Sequence, residues 1–178
     1  MLTIKSRQVI RKELDTKRLQ KSFLTACNLL GYETQPEITL QVTDDQTIRQ
    51  FNLQYRGVDE VTDVLSFENK FTDPESGETY LGDILISYQT AKRQAEARGL
   101  EMMAEIEMLF VHGILHLAGL DHASRNEWKE MSSLQDAILK ELNNPIKKAF
   151  TSLLSYSAFA SRISYALPCR KISCSGSG

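Results

Sequence analysis

All three histidines of this 178-residue chain fall in one short window, His112-Gly113-Ile114-Leu115-His116-Leu117-Ala118-Gly119-Leu120-Asp121-His122. Residues four apart on a helix lie on the same face, so the spacing predicts that the His112 and His116 imidazoles project together. Gly119 can take the left-handed conformation that ends a helix, letting the chain turn and bring His122 round as a third ligand. Three neutral imidazoles leave a tetrahedral ion one open position, the arrangement of catalytic rather than structural zinc. The window therefore predicts one divalent ion, zinc, held by His112, His116 and His122 and used as a hydrolytic centre. The competing reading makes His112 and His116 core residues of an apolar helix with His122 nearby by chance. Asp121 is expected to form the turn or to fix an imidazole tautomer.

The spacing HxxxHxxGxxH is shared with the metzincin peptidases, in which a glutamate follows the first histidine and acts as general base. Here that position is Gly113, which removes the proton shuttle and disfavours peptide hydrolysis.

The window sits in a pattern of elements. Leu19, Phe23, Cys27 and Leu30 recur at helical spacing after a capping Asp15 and before Gly31. Ile38, Leu40 and Val42 alternate with polar neighbours as a half-buried strand, and a helix is expected from Asp44 to about Tyr55. Asp63 to Phe67 and Leu81 to Ser87 read as paired strands joined by a long polar loop containing Pro74 and Gly77. In the first of these, Val64 and Ser66 share one face while Asp63, Leu65 and Phe67 share the other. Ser87 caps a helix to Arg98, a long apolar helix follows from about Glu101 to Ala118, and Ser124 opens another that ends near Asn143, Asn144 and Pro145. Strands and helices without strict alternation predict an α+β fold, a small mixed sheet of about four strands covered by helices, with the metal site at the end of a long central helix.

An apolar fraction of 42% and a charged fraction of 25% are those of an ordinary globular chain and exclude a disordered or fibrous one. The net charge of -2 hides a division: residues 1–21 carry seven Lys/Arg against Glu13 and Asp15, and residues 142–178 carry five and no acid, so the middle is strongly acidic. Basic ends can grip a polyanion, or simply be solvated helix faces. Residues 1–142 are expected to form one domain, and 143–178 a basic, serine-rich, loosely ordered extension. Cys27, Cys169 and Cys174 show no framework spacing and predict free thiols in a reducing compartment. With no signal-like amino terminus and no apolar run of about 18 residues, the expected location is the cytoplasm or the stromal equivalent, without a membrane span.

The run HGILHLAGLDH resembles the signature of the YbeY-type endoribonucleases. Tyr55-Arg56 with Thr62-Asp63-Val64-Leu65-Ser66-Phe67, and Leu81-Gly82-Asp83-Ile84, resemble the family's other two blocks in the right order, so the similarity covers about residues 1–142. It implies one zinc on His112, His116 and His122, with Arg56 and His116 as the residues on which catalysis depends. It also implies cleavage of single-stranded RNA, maturation of rRNA including the 3′ end of the small-subunit RNA, and ribosome quality control. The implied partners are rRNA, the small ribosomal subunit and ribosomal or ribosome-associated proteins. A guanidinium suits a bidentate grip on phosphate, although Arg56 can equally pair with Asp59, Glu60 or Asp63. Asp63 and Asp83 are candidates for proton transfer or for holding a ligand, but strand-end aspartates more often satisfy backbone amides. The chain departs from the family pattern at Glu68, where proline is frequent, at Leu120, where an aromatic is common, and in the extension. An assembly factor with a purely structural metal is the alternative from another class.

Overall fold

In the computed structural model, residues 1–121, 124–146 and 167–168 are described. Four of the helices start where a side chain can answer the unpaired amides of the first turn. Asp15 accepts from Arg18 N (2.9 Å) to open α2 (Thr16–Leu29), and Asp44 accepts from Thr47 N (2.7 Å) to open α3 (Asp45–Arg56). Ser87 caps α4 (Tyr88–Arg98), and Ser124 with Glu127 closes a capping box on α6 (Arg125–Glu141). Each such cap is worth about 1 kcal/mol. These boundaries agree with the sequence reading. A short helix, α1 (Gln8–Arg11), precedes α2.

The sheet runs in the order β1-β2-β4-β3-β5. β1 (Leu2–Ser6) lies parallel to β2 (Glu37–Thr43), which lies parallel to β4 (Thr79–Ser87), while β3 (Val64–Thr72) is antiparallel to β4. β5 (Leu167–Pro168) adds two residues alongside Phe67 and Glu68 of β3. This is the expected α+β fold with a mixed sheet. Two strand readings differ from it. β1 was not among the expected elements, although Leu2 and Ile4 alternate with Thr3 and Lys5. The β3–β4 hairpin also extends further than expected, because the ladder continues through residues 68–72 without burying them. The expected long loop shrinks to a turn in which Asp73 accepts from Glu75 N and Ser76 N.

Side chains alternate across the sheet as expected. Val64, Ile84 and Ile86 join α2, α4, α5 and α6 in the main core, whereas Leu65, Phe67 and Leu85 pack with Ile48 and Phe51 of α3 on the opposite face. The helix α5 (Met102–Leu117) lies at the centre, with every residue from Met103 to Leu117 buried. That burial includes two carboxylates. Glu107 accepts from Arg18 (2.9 Å), Ser22 (2.8 Å) and Asn144 (2.6 Å), tying α5 to α2 and to the start of the carboxy-terminal segment. Glu105, with no exposed surface, takes Arg98 Nη1 on both oxygens at 2.7 and 2.6 Å.

The extension begins inside this core, since Asn144 and Ile146 are buried. The expected loose order of the remaining tail, and the thiols of Cys169 and Cys174, fall outside the described residues. Cys27 is a buried free thiol. Among the described residues no helix is long and apolar enough to cross a membrane.

Burial pushes the Glu105 carboxyl above the ordinary glutamate value of 4.5, and Arg98 only partly opposes it. The folded protein therefore holds this proton more tightly than the unfolded chain does, which adds stability at low pH and withdraws it as pH rises through the folded-state value. In urea unfolding over a pH series, the wild type should gain on Glu105→Gln as pH falls, the difference levelling off below about 4.5. A difference that grows with rising pH would show that Arg98 outweighs burial.

Candidate functional site

The last turns of α5 carry the histidines. His112 and His116 are each 2% exposed. Their rings meet edge to face with centroids 4.7 Å apart, and the two Nε2 atoms converge to 3.1 Å. His112 Nδ1 lies 2.9 Å from Gln135 Oε1 on α6. An amide oxygen can only accept, so Nδ1 carries the proton and Nε2 presents its lone pair towards His116. This is the fixed tautomer that metal-binding histidines require. Two zinc-bound nitrogens at tetrahedral angles would stand roughly 3.3 Å apart, within a few tenths of the separation here. The two imidazole nitrogens thus stand at the spacing of two ligands on one zinc ion.

The structure brings together two of the three predicted ligands. Gly119 has φ 85° and turns the chain just past the helix, as expected, and the half-buried Asp121 follows. His122 lies outside the described residues. Among the described residues, no group of three or more His, Cys, Asp or Glu side chains is placed to hold a metal.

Gly113 marks where α5 presses on the sheet. A Cβ there would stand 2.8 Å from Ile84 Cγ2 and 3.0 Å from its Cδ1. A side chain at this position would run into Ile84 of β4, so the glutamate of the metzincin pattern has no room here. Gly82 secures the same contact from the strand side. Its φ of 145° and a hypothetical Cβ only 2.0 Å from the Phe67 carbonyl oxygen exclude any other residue, and Leu117 of α5 packs directly over it.

Arg56 ends α3, on the sheet face opposite α5. Its Nη1 donates to Asn52 Oδ1 at 3.3 Å, and Asn52 Nδ2 donates to the Glu60 carbonyl at 2.9 Å, so one buried amide pins both the arginine and the loop beyond it. Asp59, one of the carboxylates open to Arg56 in the sequence, is gripped on both oxygens by Arg49 at 2.8 Å. Asp63 is a strand-end aspartate of the commoner kind. It accepts from Val64 N (2.9 Å), Thr62 Oγ1 (3.3 Å) and Gln94 Nε2 (3.0 Å). Asp83 alternates with Ile84 and so faces away from α5.

Two positioning residues escape a reading of local motifs. Gln135 is 1% exposed, and its Nε2 is buried without a partner among the described residues. Its signal was an amide four residues after Met131, on the stripe that α6 buries. Asn52, four after Ile48 and four before Arg56, sits likewise on the buried side of α3.

Fold and site together define an α+β protein that presents a buried imidazole pair from its central helix. The fold is shared with the solution structure of TM1509 from Thermotoga maritima, at a TM-score of 0.54 and 23% identity over 82% of this chain and 94% of that one. The family model described as Endoribonuclease YbeY matches residues 3–143. Relatives named Endoribonuclease YbeY include those of Persephonella marina and Sulfurihydrogenibium sp. The first is 41% identical over 78% of this chain and 94% of its own, the second 42% over 79% and 95%. A third, from Gloeobacter violaceus, is 45% identical over 60% of this chain, but the match spans only 57% of that protein. The chain belongs to the YbeY endoribonuclease family.

Restoring the metzincin residue should damage the fold. Gly113→Glu is expected to lose at least about 3 kcal/mol in denaturant unfolding, because it combines overpacking with a buried, unpaired charge. A loss below about 1 kcal/mol would mean that α5 can lift from Ile84 without penalty.

Proposed function

We propose that this chain is a zinc-dependent endoribonuclease that cleaves single-stranded RNA, acting in the cytoplasm in small-subunit rRNA 3′-end maturation and in ribosome quality control. Its partners are then rRNA, the small ribosomal subunit and ribosomal or ribosome-associated proteins. The observation that carries the reading is the 3.1 Å convergence of two buried imidazole nitrogens, one with its tautomer fixed by Gln135, in a member of the YbeY family. His112, His116 and His122 hold the ion. When bound, zinc supplies Lewis acidity towards a phosphodiester.

The protein's own groups do the rest. Gln135 keeps the His112 lone pair aimed, and burial of the pair keeps bulk water off the imidazoles. Arg56 presents a planar guanidinium, steadied by Asn52, to a phosphate of the substrate. Gln135→Ala should lower zinc affinity about 10- to 100-fold by equilibrium dialysis, since it removes the group orienting a ligand. Arg56→Ala should keep its zinc and lose about a hundredfold or more in cleavage rate. Loss of the metal in that variant would count against the phosphate-clamp role.

The decisive experiment follows an rRNA precursor with a single-stranded 3′ extension, using wild type and His116→Ala, with chelator and with zinc restored. Cleavage by the wild type alone, abolished by chelator and recovered with zinc, is expected. A folded His116→Ala protein that still supports normal rRNA processing would instead favour an assembly factor whose metal only braces the fold.

A further inference from the structure

The last turn of α3 carries an aromatic ring, Tyr55, beside Arg56. Tyr55 is 39% exposed. It is nonetheless held in place. Phe51 stacks nearly parallel to it at 5.8 Å and 10°, and Phe67 of β3 meets it edge-on at 5.0 Å. Phe51 and Phe67 are themselves in contact at 6.2 Å and belong to the core behind α3. The ring is thus rigidly braced from behind while a substantial part of it faces solvent.

The neighbourhood gives that exposed surface a chemistry. Arg56 follows directly, its guanidinium steadied by Asn52, and Gly57 at φ 72° ends the helix so that both side chains stand at its terminus. Phe67 pairs with Asp83, one rung from Gly82, over which Leu117 packs next to His116. The aromatic group and the imidazole pair therefore stand at the same level of the sheet, on its two faces. A pre-ordered ring beside a cation matches the repeating unit of a single-stranded nucleic acid, a flat base next to a phosphate. Little conformational entropy is lost on binding, because the ring is already fixed.

We propose that Tyr55 is a stacking platform for one unpaired base of the RNA substrate, with Arg56 taking the adjoining phosphate. The inference rests on the endoribonuclease reading and adds a base-binding position to it.

The test is equilibrium binding of the full, zinc-loaded chain to a labelled single-stranded RNA of about ten nucleotides with 2′-O-methyl riboses. Tyr55→Ala should weaken binding about ten- to a hundredfold, while Tyr55→Phe and Tyr55→Trp stay within about threefold of wild type. A set of oligomers each lacking one base should contain one that reproduces the loss with wild type. On that oligomer Tyr55→Ala should cost nothing further. Unchanged affinity in Tyr55→Ala, or an equal loss on every oligomer of the set, would overturn the platform while leaving the endoribonuclease reading intact if the wild type still cleaves. A wild type that neither binds nor cleaves single-stranded RNA would overturn both.

Discussion

Complete burial of α5 is the constraint from which the rest of the structure follows. A helix with solvent on no side must find a partner inside the protein for every polar group it carries, because an unanswered charge in such a place costs about 3–5 kcal/mol. The chain supplies these partners from four directions. Arg98 reaches Glu105 from α4, Arg18 and Ser22 reach Glu107 from α2, Asn144 reaches the same carboxylate from beyond α6, and Gln135 reaches His112 from α6 itself. Together these bonds fix the helix against α2, α4, α6 and the segment beyond α6. The imidazoles at its far end inherit that fixity, so their ring nitrogens converge in one defined arrangement.

Contact with the sheet is set by absence of side chain. Gly113 on the helix meets Ile84, and Leu117 meets Gly82, so the two glycines bring backbone and strand closer than any other residue pair would permit. The same approach that seats the histidines removes the space in which a peptidase would keep its general base. Chemistry and packing are decided at one position here, and the residue that looked like a missing catalytic group in the sequence is a packing requirement in the fold.

What the sequence revealed was what depends on near neighbours. Caps at Asp15, Asp44, Ser87 and Ser124 act over three residues, the His112–His116 pair over four, and the opposite faces of Val64 and Leu65 follow from a period of two. Long-range partners were invisible. Nothing local marks Glu105 and Glu107 as buried ion partners in a helix that reads simply as apolar, and nothing local tells Asn52 from any other helical asparagine. Strand β1 was missed because five residues with two apolar positions give a weak alternation. Residues 68–72 were missed because their strand is held by backbone pairing, with no burial to leave a trace. Three ordered blocks were enough to identify the family. They did not disclose Gln135, whose role exists only once α6 is packed on α5.

The boundary of the domain is also a matter of packing rather than of pattern. The family match stops at residue 143, yet Asn144 donates to the Ala104 carbonyl at 3.0 Å and to Glu107 at 2.6 Å, and its own oxygen accepts from Ile146 N. Ile146 then closes over the main core. Asn143 takes φ 56°, a conformation asparagine tolerates better than most residues, and this lets the chain leave α6 and fold back on α5. Removing the segment after Leu142 would take one of the donors from a buried carboxylate, at about 1.5–3 kcal/mol for the lost hydrogen bond to a charged group. The first residues of the extension thus complete the solvation of the central helix, and belong physically to the domain that holds the histidines.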